Sequence, residues 1–388
     1  MKKIKIIISL IVVSLIINIT FIVGYHLFTQ NYLLENKLVD ENIQNIDTLS
    51  GVDNVNDLQD ILINTISNSG KGVVSIIISR DLDIYYQDPL NFFGGYSQQE
   101  NQEIGGGSGI IVSKDGYIIT NKHVIQEARR GNTNYTVVTK DGFRYDVDKI
   151  WFDPILDIAV LKILNDEGNV PSNLNTVNLV SVFDNIKVGQ FVLAIGNALS
   201  QFQDSASFGI ISGKGRQLED IKADSIYVGL YQTDAPINPG NSGGPLMDIW
   251  GNVLGINTAI SAIGQGIGFS IPINEEFVES TLEMVINDNE ITRPFLGVEH
   301  TDINNAIAIE NELSVKNGVL ISNVVPNSSA DNAGIKSGDI ITHINGNLIG
   351  KGNTFLYQLF AYKPGDNIQF RVISDGNEKN VDVELGVR

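Results

Sequence analysis

A single serine in a glycine-rich turn is the residue of this chain best suited to covalent chemistry. Ser242 lies within residues 234–246, DAPINPGNSGGPL. A serine hydroxyl is a weak nucleophile unless a nearby base takes its proton, and the oxyanion formed during attack needs hydrogen-bond donors. Gly240, Gly243 and Gly244 allow close backbone approach and positive φ angles, so amide hydrogens can converge on that anion. The turn therefore predicts an acyl-transfer site if the chain also supplies a base.

His123 is the residue that can serve as this base. It is the only one of the four histidines in the strand-rich middle of the chain. A catalytic imidazole needs a carboxylate on its far nitrogen to fix the tautomer. Asp157 directly precedes an apolar segment, whereas Asp153, a competing carboxylate four positions earlier, is followed by proline and is typical of a turn. We therefore predict His123 as general base, Asp157 as its orienting carboxylate and Ser242 as nucleophile.

Composition excludes several other kinds of protein. The 388 residues carry a formal net charge of −19, which argues against nucleic acid as a partner because phosphate binding needs clustered Lys and Arg. Cysteine is absent, so disulfides, a thiol nucleophile and a zinc–cysteine site are excluded. We expect neither a metal nor a cofactor. The length favours two domains with additional segments.

The N-terminus predicts a membrane anchor. Lys2, Lys3 and Lys5 precede an uncharged, mostly apolar run over residues 6–23 that is long enough to span a bilayer with its flanks. Positive charge on the short leading side predicts that the remainder is extracytoplasmic, as a single-pass protein of the cell membrane. A cleaved signal peptide and a buried helix are the alternatives. We assign 1–28 to the anchor and 29–56, which is polar and acidic, to a linker.

The middle of the chain, residues 57–290, is predicted to be mainly β. Short apolar segments alternate with Gly, Asn and Asp turns, which is typical of a sandwich or barrel. A short helix is expected near 57–66, and a second helix from residue 274 as a connector. Residues 80–107 interrupt the pattern and are predicted to form a long loop, which either contacts a partner subunit or has a regulatory role, or is disordered. Residues 291–388 then predict a second, α+β domain.

Several segments resemble the HtrA (Deg) family of trypsin-like serine proteases. The resemblance rests on GSGIIVSKDGYIITNKHV at 107–124, LDIAVLK at 156–162, AIGN at 194–197, QTDAPINPGNSGGPL at 232–246 and GINTA at 255–259. It implies a chymotrypsin-like double β-barrel, followed by a PDZ domain and preceded by the transmembrane helix. It also implies an oxyanion hole at Gly240, Asn241 and Ser242, a homotrimer, and unfolded or misfolded proteins as substrates.

The same resemblance places the substrate pocket. In such enzymes the base of the pocket lies six residues before the serine, which is Pro236 here, and it is flanked by Ile237 instead of an acid. Ile256, Asn257 and Thr258 would form the opposite wall. Because a pocket without an anion cannot favour Lys or Arg, we expect cleavage after small or medium aliphatic residues.

The C-terminal domain resembles a PDZ domain of the HtrA type. NSSADNAGIKSGDII at 327–341 and ING at 344–346 carry this resemblance. PDZ domains bind the C-terminus of a peptide by strand addition and capture its carboxylate with backbone amides. Core packing is the alternative role for the helix residues. The residues expected to form the peptide site are Phe295, Leu296, Gly297, Val298, Phe355 and Leu359.

Two functions follow from these observations. The first is a membrane-anchored serine endopeptidase that cuts misfolded or signalling proteins and is regulated by peptide binding to its PDZ domain. The second is a catalytically idle scaffold or chaperone that uses the same folds only to bind peptides. Loss of hydrolysis in Ser242→Ala would separate the two.

Overall fold

The computed structural model describes residues 55–87, 95–130, 133–181, 186–198, 202–218, 225–238, 240–258, 266–350 and 353–387. The predicted anchor, and the predicted linker except its last two residues, lie outside these ranges. Among the helices within them, none is both long and apolar enough to cross a membrane. The first helix is α1 (Val55–Ser69), which extends the predicted one at both ends.

The first barrel is formed by six antiparallel strands. They are β1 (Val73–Gln87), β2 (Gly95–Ile111), β3 (Tyr117–Thr120), β4 (Thr133–Val138), β5 (Arg144–Phe152) and β6 (Ala159–Leu164). The barrel closes in the order β1-β2-β3-β6-β5-β4. Alternate residues of a strand point to the same face, and Val74, Ile76 and Ile78 of β1 are accordingly buried together in its interior.

Two of these strands extend beyond the barrel as an arm. Residues 75–80 of β1 pair with β4, whereas β1 and β2 stay paired with each other out to Gln87 and Gly95. The prediction of a loop at 80–107 is therefore wrong for residues 80–87 and 95–107, which belong to β1 and β2. Residues 88–94 lie outside the described residues. The alternating sequence DLDIYY at 81–86 is the strand signal that the surrounding Asn, Gly and Gln residues obscured.

The second barrel is built from the following strands. They are β7 (Asn178–Leu179), β8 (Phe191–Ala198), β9 (Phe202–Leu218), β10 (Tyr227–Thr233), β11 (Pro245–Asp248), β12 (Asn252–Thr258) and β13 (Gly268–Pro272). Six of them run in the order β11-β8-β9-β10-β13-β12, and pairing of β11 with β12 closes the ring. Side chains from both barrels share one large core. The predicted double β-barrel is confirmed.

A connecting helix follows the second barrel. Helix α2 (Glu275–Asn287) begins after Asn274, whose side chain accepts a hydrogen bond from the Phe277 amide at 3.0 Å. Such a cap satisfies one of the amides that lack a partner in the first turn. Phe277 and Val285 are buried in the shared core. The predicted connector is therefore confirmed, and its packing directs the chain toward the C-terminal domain.

The C-terminal domain has its own sheet and core. Its elements are β14 (Pro294–Phe295), β15 (Val298–Asp302), α3 (Asn305–Glu310), β16 (Val319–Val324), α4 (Ser329–Asn332), β17 (Ile340–Ile344), β18 (Asn347–Leu348), α5 (Phe355–Phe360), β19 (Asn367–Ser374), β20 (Asn377–Glu384) and β21 (Gly386–Val387). The main sheet runs β15-β16-β17-β19-β20, with β18 on β17, so β15 lies at one edge. Val319, Phe370 and Val372 lie in the separate apolar core of this domain.

Helix α5 of this domain packs directly on β10 of the second barrel. Gly229 has φ +67°, and a Cβ there would lie 2.5 Å from two ring carbons of Tyr357 and 2.9 Å from Oγ1 of Thr354. Only glycine combines this backbone conformation with the absence of a side chain. Tyr357 is 4% exposed and belongs to the core shared by the barrels. The two domains therefore meet at a close contact between a backbone and an aromatic ring.

Candidate active site and peptide groove

Two strand ends bring His123 and Asp157 together. Thr120, at the end of β3, pairs with Ala159, at the start of β6, so the residues just beyond this pair become neighbours. Nδ1 of His123 lies 2.7 Å from Oδ2 of Asp157, and the His123 amide donates to Oδ1 at 2.9 Å. The carboxylate is 2% exposed and the imidazole 35%. The carboxylate thus fixes both the ring and the backbone of His123.

Further contacts hold Asp157 in this position. The Asn121 side-chain amide donates to the Asp157 carbonyl at 3.0 Å, and the Thr258 hydroxyl donates to Oδ2 at 3.3 Å. The competing carboxylate, Asp153, points elsewhere and pairs with Arg293. Sequence reasoning did not assign a role to Asn121, although it lies in the quoted TNKHV segment. The structure therefore places Asp157, and not Asp153, against the imidazole.

Ser242 lies in a turn that is held from both barrels. Its carbonyl accepts the Ser108 amide of β2 at 2.9 Å, while the Gly243 amide donates to the Asn257 carbonyl of β12 at 2.9 Å. Gly243 has φ +83°, and a Cβ there would lie 2.1 Å from the Ser108 carbonyl oxygen. Glycine is therefore required at this close approach. Ser242 itself is 5% exposed.

The predicted oxyanion residues are oriented by bonds to their carbonyls. The Ser108 hydroxyl donates to the Gly240 carbonyl at 2.5 Å, and the Gly244 amide donates to the Asn241 carbonyl at 3.0 Å. In a trans peptide the C=O and the following N–H point in opposite directions. The bond to Asn241 thus turns the Ser242 N–H away from the interior of the turn. Ser108 was not predicted, although its GSG segment was quoted.

The predicted pocket residues divide into two sets. The Pro236 carbonyl accepts the Ser207 hydroxyl at 2.7 Å and the Asn241 side-chain amide at 3.3 Å, and Ile237 packs against the second barrel. On the other wall the side chains of Ile256, Asn257 and Thr258 are turned inward, each at most 1% exposed. The Asn257 backbone is bonded as well, since its amide donates to the Gly244 carbonyl at 2.8 Å and its carbonyl accepts the Gly243 amide.

The expected peptide site in the C-terminal domain is a real cavity. All six predicted residues, 295–298 with Phe355 and Leu359, line a space of about 180 Å³ between the edge strand β15 and helix α5. His300 contributes the polar side chain of this cavity. Two further walls, Ile155 and Ile226, come from the barrel domain. The groove is thus bounded by both domains, which sequence reasoning did not anticipate.

The fold and the site define a class of protein. Residues 107–256 match the trypsin-like peptidase domain, and residues 294–385 match the PDZ domain. Two barrels with a bonded histidine–aspartate pair and with a serine turn held from both barrels, followed by a groove at a sheet edge, agree with both matches. The chain therefore combines one trypsin-like peptidase domain with one PDZ domain.

The relatives narrow this class to a family. The chain is 38% identical over 291 residues to the probable periplasmic serine endoprotease DegP-like of Marinomonas sp. (strain MWYL1) and 36% identical over 296 residues to the periplasmic serine endoprotease DegP of Escherichia coli (strain K12). Each match covers 75% of this chain and 59% of the relative, so the chain spans about three-fifths of their length.

A solved structure of the HtrA-type protease AlgW with a decapeptide has a TM-score of 0.58 and 30% identity to the chain, and the match covers 84% of this chain and 98% of AlgW. The chain belongs to the HtrA family of trypsin-like serine proteases.

Proposed function

We propose that this protein is a serine endopeptidase in which His123 is the general base, Asp157 its orienting carboxylate and Ser242 the nucleophile. The observation that carries the proposal is the double contact of Asp157 with the ring and the amide of His123. This contact keeps the proton on Nδ1 and leaves Nε2 to accept the serine proton. It also stabilises the imidazolium that forms, because the carboxylate is buried beside it.

The reaction would proceed through an acyl-enzyme. Nε2 of His123 takes the Ser242 hydroxyl proton as Oγ attacks the scissile carbonyl, and the oxyanion is met by the Gly240 and Ser242 amides. The imidazolium then gives its proton to the leaving amine as the C–N bond breaks. A water molecule, deprotonated by the same imidazole, attacks the ester and releases the new carboxylate. Asp157 stays ionised throughout.

We propose aliphatic side chains for the position before the cleaved bond. Pro236 and Ile237 support this, since neither carries a charge that would attract Lys or Arg. Unfolded or misfolded proteins are the proposed substrates, because only an unfolded segment can extend through a site placed between two barrels. A mixture of peptides cut only after basic residues would contradict this proposal.

We further propose the domain division and location expected from the sequence. A transmembrane anchor at 1–28 and a linker at 29–56 would hold the protease domain, 57–290, and the PDZ domain, 291–388, outside the cytoplasmic membrane. The proposed assembly is a homotrimer. The periplasmic location of the DegP relatives supports the extracytoplasmic placement. Crosslinking of the full chain in membranes, with protease protection of each domain, tests both points.

Regulation by peptide binding is proposed from the groove walls. Ile155 lines the groove and lies two residues before Asp157, so a peptide in the groove would contact the segment that carries the triad aspartate. The AlgW structure with a decapeptide supports a peptide-binding role. A peptide with a free apolar C-terminus should therefore change the rate of hydrolysis, and an unchanged rate at saturating peptide would refute this regulation.

The test of the enzymatic proposal is hydrolysis of unfolded casein by the full chain in detergent. Ser242→Ala should lower the rate by about four orders of magnitude or more, since the nucleophile is lost. The matched control is Ser113→Ala, a serine in a surface turn, which should keep full activity. Equal activity of Ser242→Ala and the unaltered protein would instead favour the idle scaffold or chaperone.

A further inference from the structure

Asn121 lies where two strands of the first barrel separate to present the histidine–aspartate pair. The last pair of β3 and β6 is Thr120 with Ala159, so the backbone ladder ends just before Asn121. The Asn121 side-chain amide crosses to the opposite segment and donates to the Asp157 carbonyl at 3.0 Å. A side chain thus continues the pairing where the backbone ladder has stopped. The segment that it reaches carries the aspartate bonded to His123.

Asn257 has the equivalent position at a strand pair of the second barrel. The pair of β11 and β12 nearest the nucleophile turn is Pro245 with Ile256, and Asn257 is the next residue of β12. Its side-chain amide donates to the Pro245 carbonyl at 2.7 Å. Its backbone amide donates to the Gly244 carbonyl, and its own carbonyl accepts the Gly243 amide. Bonds from both the side chain and the backbone of one residue therefore hold the turn that carries the nucleophile.

Each of the two asparagines uses only one end of its side-chain amide. Asn121 and Asn257 are completely buried, and within the described part of the chain neither Oδ1 atom has a hydrogen-bond partner. A carbonyl can only accept, so each amide nitrogen must face its carbonyl and Oδ1 points away from it. A buried acceptor without a partner costs free energy. Asn274, at the start of α2, instead bonds both ends of its amide, to the Ser181 carbonyl and the Phe277 amide. The unpartnered oxygens indicate a functional role, because active sites are where such costs are expected.

Strand β12 connects the two halves of the triad. Thr258 follows Asn257 and donates to Oδ2 of Asp157 at 3.3 Å. The aspartate is thus held at its carbonyl by Asn121 and at its carboxylate by Thr258. Asn257, one residue earlier on the same strand, holds the turn of Ser242. Proton transfer from serine to imidazole needs the two groups at hydrogen-bonding distance, so a small displacement of either segment lowers the rate.

We propose that Asn121 and Asn257 are positioning residues, which together set the geometry between the nucleophile and its base. The inference rests on the proposed catalytic roles of Ser242, His123 and Asp157. Each asparagine acts through a backbone carbonyl: Asn121 fixes the segment of the aspartate, and Asn257 fixes the end of the serine turn. Their amides serve the rate of the chemical step, and neither side chain selects the substrate.

Kinetics of Asn121→Ala and Asn257→Ala test this inference, with the full chain in detergent and a peptide that the unaltered protein cuts. Each variant should lower kcat by about ten- to a hundredfold, as expected for small displacements of catalytic groups, with KM changed by less than about twofold. The reaction of Ser242 with a fluorophosphonate should slow by a similar factor, because it needs the activated serine but no deacylation. Urea unfolding midpoints are measured in parallel. Asn121→Val and Asn257→Val, which fill the space with an apolar side chain, replace an alanine variant that does not fold.

The matched control is Asn274→Ala, which removes a buried asparagine whose amide also donates to a carbonyl. Loss of this helix cap should lower the urea midpoint but leave kcat within about twofold. A kcat within about twofold of the unaltered value in Asn121→Ala or Asn257→Ala, or an equal fall of kcat in Asn274→Ala, would overturn the inference while the enzyme remains a serine protease. Equal hydrolysis by Ser242→Ala and the unaltered protein would instead overturn the proposed catalytic function, and this inference with it.

Discussion

Arg293 and Asp153 form an ion pair in which both side chains are completely buried. Nη2 and Nε of Arg293 lie 2.7 and 2.8 Å from Oδ2 of Asp153. The guanidinium also donates to the Phe360 carbonyl at the end of α5 and to the Thr281 hydroxyl of α2. One arginine thus links the connecting helix and the PDZ domain to the segment that leads to the triad aspartate.

The other carboxylate oxygen of Asp153 organises that segment. Oδ1 accepts the amides of Ile155 and Leu156, each at 2.8 Å. Such a turn fixes the backbone just before Asp157, and it places Ile155 in the wall of the peptide groove. Asp153 is therefore a turn residue, as the sequence predicts, and its bond to Arg293 also joins the two domains.

Removal of Arg293 should be strongly destabilising. Arg293→Met leaves the Asp153 charge buried without its partner, which costs about 3–5 kcal/mol in comparable sites. The double variant Arg293→Met/Asp153→Asn should recover part of this loss, because no charge stays buried and the amide oxygen can still accept from the backbone. Urea unfolding midpoints measure both.

The matched control for this prediction is Lys363→Met. Lys363 pairs with Glu283 at the surface, where both side chains are partly exposed, so its loss should cost less than about 1 kcal/mol. A midpoint for Arg293→Met that is no lower than that of Lys363→Met would contradict the role assigned to the buried pair.

Sequence reasoning predicted the residues that carry local motifs. His123, Asp157 and Ser242 each stand in a short segment whose residue types indicate their chemistry, and Asp157 was preferred because it precedes a strand. Arg293 could not be predicted in the same way, since its partner lies 140 residues earlier in the chain. A contact of that range depends on how the domains pack, which a pattern of apolar residues does not specify.

The substrate pocket and the β1–β2 arm show a second limit of prediction from the sequence. Ile256, Asn257 and Thr258 were expected to form one wall of the substrate pocket, and each side chain is at most 1% exposed. Which of these side chains turns toward a substrate depends on how β12 pairs with its neighbours, and not on composition. The arm was missed because its turn-rich residues outweighed a short alternation of polar and apolar residues.

Ser108 is expected to affect catalysis from beneath the nucleophile turn. Ser108→Ala removes the hydrogen bond to the Gly240 carbonyl and leaves that carbonyl without this buried partner. The Gly240 end of the proposed oxyanion hole would then be less ordered, so kcat should fall about tenfold with KM changed by less than about twofold. Peptide hydrolysis kinetics measure the two constants separately.

Ser280→Ala provides the control for this change. Ser280 is a buried serine of α2, away from the turn, and its substitution should leave kcat unaltered. If Ser108→Ala lowers the thermal midpoint but leaves kcat intact, Ser108 is a structural residue and does not position the turn.

The contact between Gly229 and Tyr357 predicts a way to loosen the PDZ domain. Gly229→Ala introduces a Cβ at 2.5 Å from the Tyr357 ring, so helix α5 must move away from β10. Hydrogen exchange should become faster in both 355–360 and 227–233. The control is Gly334→Ala, with a similar φ of +75° but no atom within 4 Å of the added carbon. If hydrogen exchange in these segments is equally fast in the two variants, the contact with Tyr357 is not the cause, and backbone strain at the substituted glycine explains the change.

Acidic peptides should bind the groove more tightly as the pH falls. His300 is neutral at pH 8, and because burial lowers its pKa, it gains its proton only below its ordinary value near 6.5. The imidazolium attracts a ligand carboxylate, which stays ionised down to about pH 5.5. A labelled decapeptide that ends in Glu-Ala-Val should therefore gain affinity from pH 8 to 5.5, with most of the gain below 6.5, whereas a decapeptide that ends in Thr-Ala-Val should change little because the N–H donor is kept. Anisotropy titrations with His300→Leu provide the decisive comparison: a Glu peptide whose affinity rises equally in that variant would mean that another group, and not His300, senses the pH.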